Sequence, residues 1–236
     1  MKRLFLTFLL FILQVDAYNF KQLHCKLTPE NTVFVFDMHD VVLDRMSGRK
    51  KVKLFFNHPD KSRFLQRLKT SGINLIGKSH EEADVAIEKE VIYDNDEESY
   101  VNSTLELINS FVPNEETLKF IQELHARGFK IFACSNLGQK SLEFLKSRYA
   151  ELAELFNKCF CGFQGPTKEN GFLTKQNPQT YRECKAMINK FVCNPEHIVF
   201  IDDSLLKIKV AEQSENFQGY QFVNANKLRS DLGRLL

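Results

Sequence analysis

Three short runs of the chain are almost wholly apolar and end abruptly on polar residues. Residues 33–36 (VFVF) stop at Asp37, residues 129–134 (FKIFAC) at Ser135 and Asn136, and residues 198–201 (IVFI) at Asp202 and Asp203. Runs this short, rich in β-branched and aromatic side chains, have the pattern of parallel strands buried on both faces. Each hands a polar residue to whatever follows its carboxyl end, where ligands bind in open α/β sheets.

Between the runs the apolar period changes to that of helices. One helix is expected over about 114–127, capped by Asn114, with Leu118, Ile121 and Leu124 on one face and Gly128 as its stop. A second carries Leu142, Leu145, Tyr149, Leu152 and Phe156 at spacings of three and four. A third starts with Asn177 as cap and Pro178 in its first position, and buries Tyr181, Cys184, Met187 and Phe191. Strands alternating with helices define an α/β fold, Rossmann-like, on a mainly parallel sheet. Residues 45–113 break the rhythm. They contain no strong buried strand and read as several amphipathic helices, the shape of an inserted helical cap over a site. The expected organisation is a core of residues 18–44 and 114–236 interrupted by a cap of residues 45–113.

The first 17 residues stand apart. Lys2 and Arg3 precede an apolar run over 4–13 and then Val15, Asp16 and Ala17, the three-part layout of a secretory signal. The expectation is export to the periplasm or medium after cleavage, with a cytoplasmic protein as the lesser alternative. That run is well short of the roughly 20 apolar residues a membrane span requires, so no permanent span is expected.

Composition narrows the function classes. Of 236 residues 43% are hydrophobic and 26% charged, as in an ordinary globular chain. A net charge of +2 gives no basic field for nucleic acid, and the short basic run of Arg45, Arg49, Lys50, Lys51 and Lys53 is a solvated face by default. No nucleic-acid partner is expected. The six cysteines, Cys25, Cys134, Cys159, Cys161, Cys184 and Cys193, show no zinc-ligand spacing. Cys134 and Cys184 read as core residues, Cys159 and Cys161 as neighbours on one side of a strand; the disulfide state stays open.

The chemistry lies at the strand ends. The run FDMHDVVL around Asp37 resembles motif one of the haloacid dehalogenase (HAD) superfamily, whose aspartate is the covalent nucleophile. Ser135-Asn136 is similar to motif two, residues 175–181 (KQNPQTY) to motif three, and residues 200–204 (FIDDS) to the acidic motif four. Four motifs in this order, each at an expected strand end or helix start, are specific together, and the resemblance covers about residues 32–223 with a helical insertion between motifs one and two. It implies a hydrolase, most directly a Mg²⁺-dependent phosphatase acting on a small phosphorylated metabolite through an aspartyl-phosphate. In that reading Asp37, Asp202, Asp203 and the backbone carbonyl of His39 hold the metal, with Asp203 a direct ligand and Asp202 acting through water. Ser135, Asn136 and Lys175 bind the phosphoryl group. The physical need is independent of the name: a carboxylate attacks a phosphate dianion only when cations offset the charge, and further carboxylates can hold a hard divalent ion.

Three positions depart from the family pattern. His39 replaces the second aspartate that serves as acid and base; an imidazole, with an unperturbed pKa of about 6.5, suits proton transfer in either direction. Asp40 occupies a place usually held by glycine, so the turn must accept a side chain. Lys207 stands where many relatives have asparagine, and is expected to act on the scaffold more than on the reaction. Two other activities fit the same motifs: dehalogenase-like displacement at carbon, and a binding protein that has kept the fold but lost turnover through His39. Oligomeric state is not legible.

Overall fold

The computed structural model describes residues 26–45, 111–215, 217–233 and 236. The signal segment, Cys25, most of the expected cap and the basic stretch beyond Arg45 lie outside the described residues. Within them the order is β1 (Thr32–Phe36), β2 (Leu43–Arg45), β3 (Phe111–Pro113), α1 (Glu115–Ala126), β4 (Lys130–Cys134), α2 (Gln139–Arg148) and α3 (Ala150–Lys158). There follow β5 (Phe160–Gln164), α4 (Pro178–Asn189), β6 (His197–Asp202), α5 (Leu205–Glu215), β7 (Gln218–Gln221) and α6 (Ala225–Leu232).

Among the described residues five strands form one sheet in the order β5-β4-β1-β6-β7, every neighbouring pair parallel. The expected α/β class and the three apolar strands are therefore present, with β1 at the centre. Successive side chains alternate between two buried layers, as the pleat requires. Phe34 and Phe36 pack with Leu118, Ile121, Leu145 and Leu155 on one side, and Val33 and Val35 with Tyr181, Cys184 and Ile208 on the other. Each fully buried side chain of this size contributes about 1.5–3 kcal/mol, so the strand runs are the strongest local determinants of the fold.

Helix capping follows the sequence closely. The Asn114 side chain accepts a hydrogen bond from Thr117 N–H at 3.0 Å, and the Asn177 side chain one from Gln179 N–H at 2.9 Å, with Pro178 opening α4. The expected single helix through Tyr149 is instead two. Tyr149 is extended (φ −123°, ψ 104°), ending α2 and beginning α3, and its hydroxyl donates to the Phe111 carbonyl at 3.0 Å. A tertiary hydrogen bond thus breaks a helix whose apolar spacing runs on unbroken. Phe191, expected on the buried face of α4, lies beyond that helix and is 55% exposed. Cys159 ends α3 rather than sharing a strand with Cys161, and both are free thiols, as are Cys134, Cys184 and Cys193.

The strands that border the expected cap, β2 and β3, pair antiparallel in a second, two-stranded sheet. Their junction is tied to the core by Asn114, whose N–H donates to the Val42 carbonyl at 2.9 Å and whose side-chain amide donates to Asp44 at 2.9 Å. No helix among the described residues is long and apolar enough to cross a membrane.

Candidate active site

The sheet order brings the polar strand ends together. β1 is flanked by β4 and β6, with Phe36 in register with Ala133 and Ile201. The next residue, Asp37, donates its backbone N–H to the Ile201 carbonyl at 2.8 Å and stands beside Asp202. Ser135 follows β4 on the other side, its N–H donating to the Gln164 carbonyl at 2.9 Å. The chain leaves β1 towards strands on both sides, so this row lies at the switch point where α/β sheets open a crevice.

The Asp37 carboxylate is buried and surrounded. Its Oδ1 accepts from Met38 N–H at 2.6 Å and from the Ser135 hydroxyl at 2.8 Å. Its Oδ2 lies 2.6 Å from Lys175 Nζ, which also donates to Asp202 Oδ2 at 2.5 Å. Lys175 therefore bridges two carboxylates from a position with no exposed surface. It reaches that position because Asn136 Oδ1 accepts from Lys175 N–H at 2.7 Å, while the Asn136 amide donates to Gln176 at 3.3 Å. The Asn136 side chain thus holds the lysine loop, and the phosphoryl contact that the resemblance implies here is one its backbone N–H would make. The carboxylate of Asp202 is further fixed by Ser204 N–H, which donates to Oδ1 at 2.8 Å.

These neighbours set the charges. Burial pushes Asp37 upward, but Lys175 and Lys207 outweigh it and hold the carboxyl well below the ordinary range. Asp202 goes the other way: burial, reinforced by the charge of Asp37, moves it up to about 7 against the pull of Lys175. Burial opposes the Lys175 ammonium as well, yet Asp202 and Asp37 keep it protonated beyond the usual lysine range. The nucleophile candidate is the group held most firmly as an anion.

Lys207 is the residue that sequence reasoning misplaced. It lies in the first turn of α5, 2% exposed, with Nζ 3.7 Å from Asp37 Oδ2 and 3.9 Å from Asp202 Oδ1. It therefore faces the reaction centre rather than serving the scaffold alone. Side chains at a helix start lean back toward the N-terminus, which here is the carboxyl end of β6. The Tyr181 hydroxyl donates to the Lys207 carbonyl at 3.0 Å, and Gly219 on β7 lets α5 lie close, since a Cβ there would overlap Ile208. Nothing in the local sequence distinguishes Lys207 from the exposed Lys209 two residues on.

Asp37, Asp202 and Asp203 each offer an oxygen within 4.8 Å of the other two, an oxygen-only donor set that fits a hard divalent cation. Asp203 is partly exposed, and burial together with Asp37 raises its pKa. Against this, the ammonium groups of Lys175 and Lys207 already face Asp37 and Asp202.

His39 is 6% exposed, its ring stacked on Phe111 of β3 at 4.2 Å between centroids and 17° between planes. Burial pushes its imidazole down to about 4, which keeps the ring neutral near pH 7 and leaves it a weaker base than a free imidazole. Its Nε2 has no hydrogen-bond partner among the described residues. Asp40 takes φ +58°, the left-handed conformation that the glycine usual there adopts without strain and that aspartate tolerates better than most residues.

A parallel sheet with a buried aspartate, a lysine bridging two carboxylates and an acidic pair at the carboxyl ends of its strands is compatible with a hydrolase. The family model for haloacid dehalogenase-like hydrolases matches residues 32–214, and the chain belongs to that family. Among solved structures the chain resembles the HAD hydrolase YfnB of Bacillus subtilis, bound to magnesium, with 16% identity, a TM-score of 0.53 and 87% of this chain and 100% of that chain covered. A HAD-like family hydrolase of Porphyromonas gingivalis shares 21% identity (TM-score 0.52; 87% and 98% covered). A HAD family enzyme of Bacteroides thetaiotaomicron, in complex with magnesium and inorganic phosphate, shares 16% (TM-score 0.52; 80% and 93% covered). At these identities the likeness is one of fold. No curated protein matches the chain.

Proposed function

We propose that the chain is a magnesium-dependent phosphatase acting on a small phosphate ester through an aspartyl-phosphate on Asp37. The observation that carries this reading is the approach of Asp37, Asp202 and Asp203 oxygens to within 4.8 Å of one another. Displacement of halide at carbon has no use for such a cluster, whereas attack on a phosphate dianion does. The ion would be held by Asp37, Asp203 and the backbone carbonyl of His39, with Asp202 behind them, and would neutralise phosphate charge. The Asp37 carboxylate attacks phosphorus, the P–O bond to the leaving group breaks, and that oxygen departs with the bonding pair. Lys175 offsets charge between nucleophile and phosphate, and Ser135 orients the Asp37 carboxylate. A water then attacks phosphorus, releasing inorganic phosphate and restoring Asp37.

A panel of phosphorylated metabolites, assayed with Mg²⁺ and with chelator, tests the activity; halide release from a 2-halo acid without Mg²⁺ would replace it with the dehalogenase reading. The metal assignment makes its own prediction. Asp203→Ala should raise the Mg²⁺ concentration for half-activation at least about tenfold more than Asp202→Ala, because Asp203 is the partly exposed member of the trio, while Asp202 is buried and held by Lys175 and Ser204. Mg²⁺ titrations with equal or reversed shifts would exchange the two roles.

His39 supports the second half of the reaction. A neutral, buried imidazole accepts the proton of the attacking water, so His39→Ala should slow breakdown of the aspartyl-phosphate by roughly 10²- to 10⁴-fold. With an aryl phosphate, whose leaving group needs no proton, rapid mixing should show the first turnover preserved as a burst and the steady state lost. Loss of the burst itself would place His39 in the first step.

A further inference from the structure

Two ammonium groups, not one, face the carboxylates of this centre. Lys175 sits at 2.6 Å from Asp37 and 2.5 Å from Asp202, and so occupies the bridge between them. Lys207 stands farther off, at 3.7 Å from Asp37 Oδ2 and 3.9 Å from Asp202 Oδ1, in ion-pair range of both without a short contact to either. It reaches this place from α5 with 2% of its surface exposed, and α5 is held against the sheet by the Tyr181–Lys207 hydrogen bond and the missing side chain at Gly219. A lysine stem buried in this way cannot swing its charge into solvent without opening the helix packing. Lys207 is a fixed feature of the site.

The geometry points to Lys207 as a resident cation that weakens Mg²⁺ binding by the bare protein and takes over part of the charge neutralisation otherwise left to the metal. Asp37, Asp202 and Asp203 face two ammonium groups rather than one, so an incoming dication meets less net negative charge than it would with a single lysine. Lys207 Nζ lies within 3.9 Å of two carboxylates that would hold the ion, and charges at about such separations in a poorly solvated site interact by several times RT, so the second ammonium would oppose Mg²⁺ strongly enough to change its affinity by an order of magnitude or more. The same ammonium would attract the oxygens of a phosphoryl group bound at Asp37. Lys207 thereby moves the site from one that collects its cation from solution toward one that carries it in the chain.

This inference rests on the reading of the aspartate trio as a metal site, and direct titration of Mg²⁺ into the full chain by calorimetry, without substrate, tests the two separately. Wild-type protein should bind Mg²⁺ with a Kd no tighter than about 1 mM. Lys207→Met, which keeps the stem and removes the charge, should tighten that Kd at least tenfold, while Lys207→Arg should leave it weak. Circular dichroism checks that both variants fold. In excess chelator, inorganic phosphate should bind wild type and lose at least about tenfold in affinity in Lys207→Met. Equal Mg²⁺ affinity in wild type and Lys207→Met overturns the role of Lys207 alone. Absence of Mg²⁺ binding in both overturns the metal reading and the inference with it. Should Lys207→Met fail to fold, submillimolar Mg²⁺ binding by the wild-type chain is enough to refute the proposal.

Discussion

Asp37→Asn is expected to fold and to hydrolyse no phosphate ester above background. The amide keeps the size and most hydrogen bonds of the carboxylate: one of its atoms still accepts from Met38 N–H and the Ser135 hydroxyl, which lie at 2.6 Å and 2.8 Å from Oδ1. What disappears is the anion, and an amide oxygen forms no stable bond to phosphorus. The fold tolerates the change because Lys175 retains Asp202 at 2.5 Å, so no ammonium is left without a counter-charge. Hydrolysis rates beside circular dichroism spectra check both halves. A folded variant that keeps its rate would remove Asp37 from the covalent step and with it the proposed mechanism.

Replacing Lys175 should damage stability as well as activity. Lys175→Met fills the same volume but leaves Asp37 and Asp202 buried without the cation between them. Breaking a buried ion pair from one side typically costs about 3–5 kcal/mol, and here two carboxylates lose a partner together. Lys207 softens the loss only in part, because its ammonium stays 3.7–3.9 Å away. Asp202, already pushed up to about 7 by burial, should then take up a proton. Urea unfolding should show the loss. The double variant Lys175→Met/Asp37→Asn should recover much of the stability, since it removes the carboxylate that stays charged when Asp202 protonates, without recovering turnover. If the single variant unfolds at the wild-type midpoint, the bridge is not a stabilising contact.

The row of reacting groups was legible because each comes directly after a strand whose burial is written in consecutive apolar residues. Asp37, Ser135 and Asp202 needed only β1, β4 and β6 to be recognised, and the motif order supplied Lys175. The outer strands were harder. β7 reads QGYQ and β5 reads FCGFQ, each with a glycine and a polar last residue, because an edge strand need not be buried throughout. The break at Tyr149 had no signal in the apolar spacing, since it goes with a hydrogen bond that Tyr149 donates to a carbonyl far away in sequence. Lys207 was illegible for a related reason: its neighbours LLKIKV describe a helix, and only the crossing of α5 over the end of β6 shows which lysine turns inward. The burial of His39 was illegible likewise, since Phe111, on which its ring stacks, joins it only through the pairing of β2 with β3.

That pairing has a consequence for how the chain can be remodelled. Residues 46–110 depart from β2 and return through β3, and these strands are hydrogen-bonded to each other and pinned to the core at Asn114. A segment whose two ends are already held side by side adds little by growing: each doubling of a flexible loop costs only about 0.6 kcal/mol in closure entropy. The β2–β3 pair therefore works as a socket. Different inserts could be grafted between its strands while Asp37, Lys175 and Asp202 keep their spacing, and His39, whose ring stacks on a socket strand, would register the exchange.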